Sequence, residues 1–317
     1  MANRNFTTVC FVCVAILVAS SGRAAERPQA PWPPPAGQLH VIIDSDAGNE
    51  VDDQWAIGLA LGFPERLQIE GFVAAHFGLT GGSKGIEKSY ANILATLKAA
   101  GMTDKFTVKR GSDPVVYRDR VPESEGVDFI VEQAHKATPE NPLWLVSIGP
   151  ATDAAAALMK DPAIADRLVI FWHGRTRWPE RAWNFNAYND IKAVQIIFEM
   201  PTRFILFDTG TYLTMPLKES ERRIASVGSL GRFLHDIRTP PQYATDTKGF
   251  FDVGDIAALI DEHTARWEVT EAPSVDHDLR YSFSHKNGKI VRIYHIERDP
   301  TFDLLEKSLH RIADRKP

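Results

Sequence analysis

Five acids fall within ten residues of this chain: Asp44, Asp46, Glu50, Asp52 and Asp53, in the stretch Asp-Ser-Asp-Ala-Gly-Asn-Glu-Val-Asp-Asp. The whole chain carries 41 Asp and Glu among 317 residues, so a stretch of this length would ordinarily hold one or two. Carboxylates packed this closely repel one another unless a cation neutralises them. Hard oxygen donors suit Mg²⁺ or Ca²⁺, and a flexible shell of about six to eight oxygens favours Ca²⁺. Taken singly, Asp52 and Asp53 read more readily as helix N-terminal acids than as ligands, and Asp44 could be a turn-former. It is the group together that points to a metal.

Two simpler motifs fit the stretch less well. An EF-hand needs Gly at its sixth position and Glu at its twelfth; counted from Asp44 these are Asn49 and Trp55. An Asp-x-Asp phosphatase pattern would make Asp44 a phosphoryl acceptor and Asp46 an acid/base. It stands as a weaker alternative, because Gly48 departs from it and Asp52 and Asp53 would have no role.

The elements around the cluster give it a place. The run 40–43 reads as a buried strand, and the acids follow it directly. They therefore sit at the carboxyl edge of a sheet, where α/β proteins place ligands. Beyond it, strands are expected at 67–75, 143–148, 167–172, 203–207 and 289–296, and helices at 54–61, 89–100, 152–159, 191–199 and 302–312. Alternation of this kind implies parallel βαβ units, so the expected fold is α/β: a mainly parallel central sheet flanked by helices. Residues 210–248 are mixed and are expected to carry an inserted cap. No internal repeat is visible.

Composition narrows the function classes. At 44% hydrophobic and 24% charged residues the chain is globular in type. Its formal charge is −5 and it has no basic tract, so no nucleic-acid partner is expected. Residues 1–25 differ: Arg4, an apolar run over 9–19, then Ser20, Ser21, Gly22, Ala24 and Ala25. That is the pattern of a cleaved export signal, and the run is shorter than the roughly 20 residues of a spanning helix. The expectation is a periplasmic or extracellular protein without stable membrane insertion. Cleavage would remove Arg4, Arg23 and both cysteines, Cys10 and Cys13, leaving 34 basic residues against 41 acids, a charge of −7, and no thiol. The stretch 26–38 holds five prolines and reads as an extended linker; residues 39–317 read as one domain.

On these residues the chain resembles the inosine–uridine-preferring nucleoside hydrolase family. That family opens with a strand and Asp-x-Asp-Pro-Gly-x-Asp-Asp; here the elements are Asp44-x-Asp46-Ala47-Gly48 and then Asp52-Asp53, with two extra loop residues. In the family's order there follow Ser147-Ile148-Gly149-Pro150-Ala151-Thr152, Trp183-Asn184-Phe185-Asn186 through Asp190, and Phe251-Asp252-Val253, similar to its late His-Asp-Pro. The likeness runs over about residues 39–309 and implies a Rossmann-like open sheet.

The resemblance also implies a chemistry: hydrolysis of the N-glycosidic bond of ribonucleosides with Ca²⁺. The metal set would be Asp46, Asp53, the Ile148 carbonyl and Asp252. Asp46 would be the general base for water, Asp52 and Asn186 would take ribose hydroxyls, and Asn184 would stand near the 5′-hydroxyl. Association into a homo-oligomer is implied as well. Phe251 replaces a His that protonates the leaving base in many members. A purine, protonated at N7 and stacked, is therefore expected over uridine, on a wall of Phe251 with Trp183 or Trp178; Phe250 is a further candidate. The same replacement motivates a second reading, a protein that binds ribosides without turning them over. His76 and His173 each follow a strand and read as ordinary core or surface histidines. Asp276-His277-Asp278 reads as a solvated loop.

Overall fold

Alternation along the first strand divides the core in two. In this computed structural model, which describes residues 27–315, β1 (Leu39–Ser45) sends Val41 and Ile43 into one apolar cluster and Ile42 into another. A strand buried on both faces belongs in the middle of a covered parallel sheet. The expected export segment 1–25 lies outside the described residues.

The other strands are β2 (Leu67–Ala74), β3 (Thr107–Arg110), β4 (Leu143–Ser147), β5 (Leu168–His173), β6 (Arg203–Phe207), β7 (Ala265–Glu271), β8 (Ser274–Val275), β9 (Tyr281–Ser282) and β10 (Lys289–Ile296). Eight of them form one sheet in the order β3-β2-β1-β4-β5-β6-β10-β7. Every pairing in it is parallel except β10 with β7. β8 and β9 make a separate antiparallel pair. The fold is thus α/β with a mainly parallel central sheet between helices. Sequence order reverses direction between β1 and β4, so the carboxyl ends of those two strands open a crevice.

One face of the sheet is covered by helices that include Asp52–Leu61, Gly85–Ala99, Val253–Ile260 and Arg298–Ala313; the other by Glu125–Lys136, Thr152–Lys160 and Ile191–Glu199. All ten residues of Asp52–Leu61 are buried. It is wedged under two other helices, and Ser308 Oγ donates to its Gly58 carbonyl at 2.7 Å. Among the described residues no helix is long and apolar enough to cross a membrane.

The proline-rich segment departs from the free linker expected of it. Its residues 27–38 are strapped onto the domain: Trp32 lies in the core with its ring 5.9 Å from that of Phe171. The Arg27 guanidinium donates to the carbonyls of Phe198 (2.6 Å), Thr202 (2.8 Å) and Asn287 (2.8 Å). Phe198 sits in the last turn of Ile191–Glu199, whose carbonyls lack helical partners and carry the negative end of the dipole, so a cation settles there.

Candidate functional site

The opening loop leaves β1 at its carboxyl end and turns at once, with Asn49 N–H donating to the Asp46 carbonyl at 2.8 Å. The turn sends Asp46 inward and starts Asp52–Leu61 with two acids in its first turn. The next strand supplies the facing wall. Ser147 ends β4 and donates to Asp44 Oδ2 at 2.7 Å, and the chain then passes through Ile148-Gly149-Pro150. A Cβ on Gly149 would lie 3.0 Å from Asp46 Oδ1 and 3.1 Å from Asp46 N, so glycine lets these two loops close together.

About 200 residues later, Asp252 comes in at the start of Val253–Ile260. It lines the same cavity, of about 260 Å³, as Asp46, Asp52, Asp53, the Ile148 segment, Asn184, Asn186 and Phe251. Carboxylate oxygens of Asp52, Asp53 and Asp252 lie within 4.8 Å of one another. Ser45 Oγ holds Asp53 Oδ1 at 2.7 Å, and Phe251 N–H holds Asp52 Oδ2 at 3.1 Å. Lys248 Nζ stands 3.5 Å from Asp52 and 2.6 Å from Glu50. Asp46 is 2% exposed, and its Oδ2 is buried without a hydrogen-bond partner.

Electrostatics describe a site that asks for a cation. Burial, then the charges of Asp53 and Asp52, push the Asp46 carboxyl well above the usual carboxylate range. Burial and Asp52 push Asp53 up to about 8. Burial, Asp52 and Asp53 raise Asp252 strongly. Carboxylates in such company ionise together only when a cation sits among them. The donor set is all oxygen, which fits a hard divalent ion: Asp52, Asp53 and Asp252 come close enough to share one, and the same cavity is lined by Asp46 and by Ile148 with its carbonyl. That carbonyl already accepts from Asn186 Nδ2 at 3.1 Å and keeps a second lone pair.

Both amide hydrogens of Asn186 are committed to backbone, to Ile148 and, at 3.2 Å, to the His173 carbonyl; its Oδ1 is left for a hydroxyl. Asn184 does the reverse. Its Oδ1 caps helix Phe185–Asn189 by accepting from Ala187 N at 2.8 Å, and its Nδ2 is buried with no partner.

Other expected residues lie elsewhere. Trp183 is 41% exposed and outside the cavity lining, its ring under Arg177 at 4.1 Å. Trp178 packs against Tyr281 and Phe283, at 5.2 and 5.4 Å between rings. Phe250 is fully buried, 4.0 Å from the Trp55 ring. The aromatic wall expected from two or more of these rings is therefore reduced to Phe251, with Phe185 also in the lining. Asp44 is fully buried behind the cavity and does not line it. Asp276, His277 and Asp278 form an exposed turn.

Both histidines are buried. His76 bonds Thr152 Oγ1 at 2.7 Å, and Thr152 in turn donates to Asp190; burial pushes His76 down to about 4, so it is neutral. His173 is more than an ordinary core histidine: its Nδ1 is 2.7 Å from Asp255 Oδ2 and 3.5 Å from Asp252, and it lines the cavity. Sequence reasoning also missed Arg175, two residues beyond β5. The available signal was its position past a strand end, the same signal that marked the acidic loop.

The family model described as inosine-uridine preferring nucleoside hydrolase matches residues 41–299. The chain belongs to that family. Among curated proteins, it is 28% identical over 186 residues to the pyrimidine-specific ribonucleoside hydrolase RihA of Escherichia coli, a match covering 51% of this chain and 57% of that protein. The match thus spans little more than half of that relative's length. Among solved structures, the purine-preferring ribonucleoside hydrolase from Gardnerella vaginalis superposes with a TM-score of 0.68 at 21% identity, over 86% of this chain and 99% of that one. An inosine-guanosine nucleoside hydrolase gives 0.66 at 15% identity, over 88% and 100%. At these identities the structural likeness establishes the fold. Family membership fits the metal-ready acidic cluster.

Proposed function

We propose that this protein hydrolyses the N-glycosidic bond of ribonucleosides, releasing the base and ribose, with Ca²⁺ bound among Asp46, Asp53, Asp252 and the Ile148 carbonyl. One observation carries the reading: carboxylates from the two ends of the domain line one cavity at the carboxyl edge of the sheet, beside amides suited to sugar hydroxyls. The bond breaks through an oxocarbenium-like state, which needs water on one face of the sugar and negative charge nearby. The ion, when bound, supplies orientation and some acidification of water.

The chain's own groups do the rest. Asp46 Oδ2, buried and unpartnered, takes the proton from the attacking water. Asp52 and Asn186 Oδ1 accept from ribose hydroxyls, and the spare Nδ2 of Asn184 donates to the sugar's far end. Phe251, over which the Arg175 guanidinium lies at 4.1 Å, offers the rest of its ring to the base. A fused purine covers more of that face than a pyrimidine does, which supports purine ribosides as the preferred class. The export pattern at 1–25 supports work outside the cytoplasm.

A binding-only protein is the second reading, favoured by Phe251, whose side chain carries no proton to give. Phosphatase chemistry at Asp44 is disfavoured by geometry, because that carboxylate is sealed behind Ser147. The test is a panel of purine and pyrimidine ribosides followed by chromatography for free base. Inosine cleaved faster than uridine is the expected result. Saturable binding with no base released from any riboside supports the second reading and contradicts the first.

A further inference from the structure

Cleaving an N-glycosidic bond leaves an electron pair on the base, and some group must receive that charge. The cavity lining is rich in carboxylates, which cannot. Asn49, Thr80, Asn184 and Asn186 are neutral, and His173 is turned onto Asp255. Lys248 is spent on Glu50 and the Gly249 carbonyl and does not line the cavity. That leaves Arg175. Its guanidinium carbon lies 4.1 Å from the centre of the Phe251 ring, and among the described residues it makes no ion pair or side-chain hydrogen bond.

The backbone holds it there. Gly174 N–H and Arg175 N–H both donate to the Phe207 carbonyl at the end of β6, at 2.9 and 3.0 Å, and Thr176 N–H is taken by Asp208. Arg175 adopts φ +29°, one of three non-glycine residues with positive φ among those described. A left-handed conformation fixed by neighbouring elements is the kind of local strain that collects at working sites. A guanidinium stacked on an aromatic face keeps its in-plane N–H donors free.

Resting on the nucleosidase reading, we infer that Arg175 is a further catalytic residue, the electrophile that stabilises the departing base. As the C1′–N bond breaks, its electron pair passes to the base nitrogen and spreads onto the ring nitrogens and any carbonyl oxygen. Arg175 N–H groups hydrogen-bond that developing anion. Water forms the new C1′–O bond and gives its proton to Asp46; the base then takes up a proton, returned through solvent, and leaves neutral.

The test compares R175A and R175K with wild type on inosine, on p-nitrophenyl riboside, whose phenolate leaves without help, and on inosine 5′-phosphate. R175A is expected to lose about 100-fold or more in kcat on inosine, in the range seen when one anion-stabilising donor is removed, while p-nitrophenyl riboside falls far less. That retained cleavage also reports an intact fold. R175K, which keeps the charge, should recover part of the loss. Equal losses on both ribosides, or none, overturn the inference while leaving the nucleosidase reading standing. A loss confined to the 5′-phosphate assigns Arg175 to a substrate anion and overturns it too. If wild type cleaves neither riboside, the nucleosidase reading itself falls.

Discussion

Replacing Asp46 with Asn should separate activity from stability in opposite directions. Asp46 is 2% exposed, its Oδ2 has no partner, and its carboxyl is raised by burial and by its acidic neighbours Asp53 and Asp52. An amide of the same shape keeps one oxygen for the metal but cannot accept the water's proton. Loss of a general base costs roughly 10²–10⁴ in rate, which is about 2.7–5.5 kcal/mol of transition-state stabilisation. The same change removes one buried carboxylate from a repelling group. In chelator at pH 8 the variant should therefore melt higher than wild type, by a few degrees if about 1 kcal/mol of repulsion is relieved. The assay is kcat on inosine with saturating Ca²⁺, paired with thermal melts in chelator. A variant retaining more than about a tenth of the wild-type rate would refute the base assignment. One that melts lower than wild type in chelator would refute the account of an overcharged empty site.

The pH dependence of the metal-free protein has a defined sign. Asp53 titrates near 4 when unfolded and at about 8 when folded, so the folded state binds the extra proton between those values. Stability in chelator should fall as pH rises from about 5 to 8, and excess Ca²⁺ should abolish that fall; melting curves across this window check it. Gly149→Ala places a Cβ 3.0 Å from Asp46 Oδ1 and should weaken Ca²⁺ binding about 10–100-fold by calorimetry. Phe251→Ala should lower kcat/KM for purine ribosides by the equivalent of about 1–3 kcal/mol, the worth of one base-stacking ring; an unchanged value would mean the base lies elsewhere. Asn186→Ala frees the Ile148 and His173 carbonyls from their shared donor and should raise KM for ribosides more than it lowers stability, read from kinetics and melts on one preparation.

Central strands were legible because burial on both faces leaves continuous apolar runs: 40–43 and 203–207 lie on β1 and β6, and 143–148 overruns β4 by one residue. The edges were not. β3 is four residues, Thr-Val-Lys-Arg, and β7 is mostly half-exposed with Val269 46% exposed. Edge strands carry polar and charged side chains that discourage further pairing, and so lose the apolar signature. In the site, the acidic loop could be read because its carboxylates are adjacent in sequence. Trp178 and Trp183 could not be placed because they sit in the irregular stretch after β5, where aromatic identity says nothing of direction. His173 and Arg175 were underrated for a related reason: one residue type at a strand end carries little information until Asp255 and Phe251, some 80 positions away, are brought beside it.

The most direct measurement follows base release and Ca²⁺ occupancy in one sample. Metal-stripped protein is titrated with Ca²⁺ in the presence of inosine, with free hypoxanthine and bound metal both recorded. The account predicts no release without metal, and activity rising in step with the first ion bound per chain. Hypoxanthine release that is indifferent to chelation, or a filled metal site that releases no base from inosine or any other riboside, would contradict it.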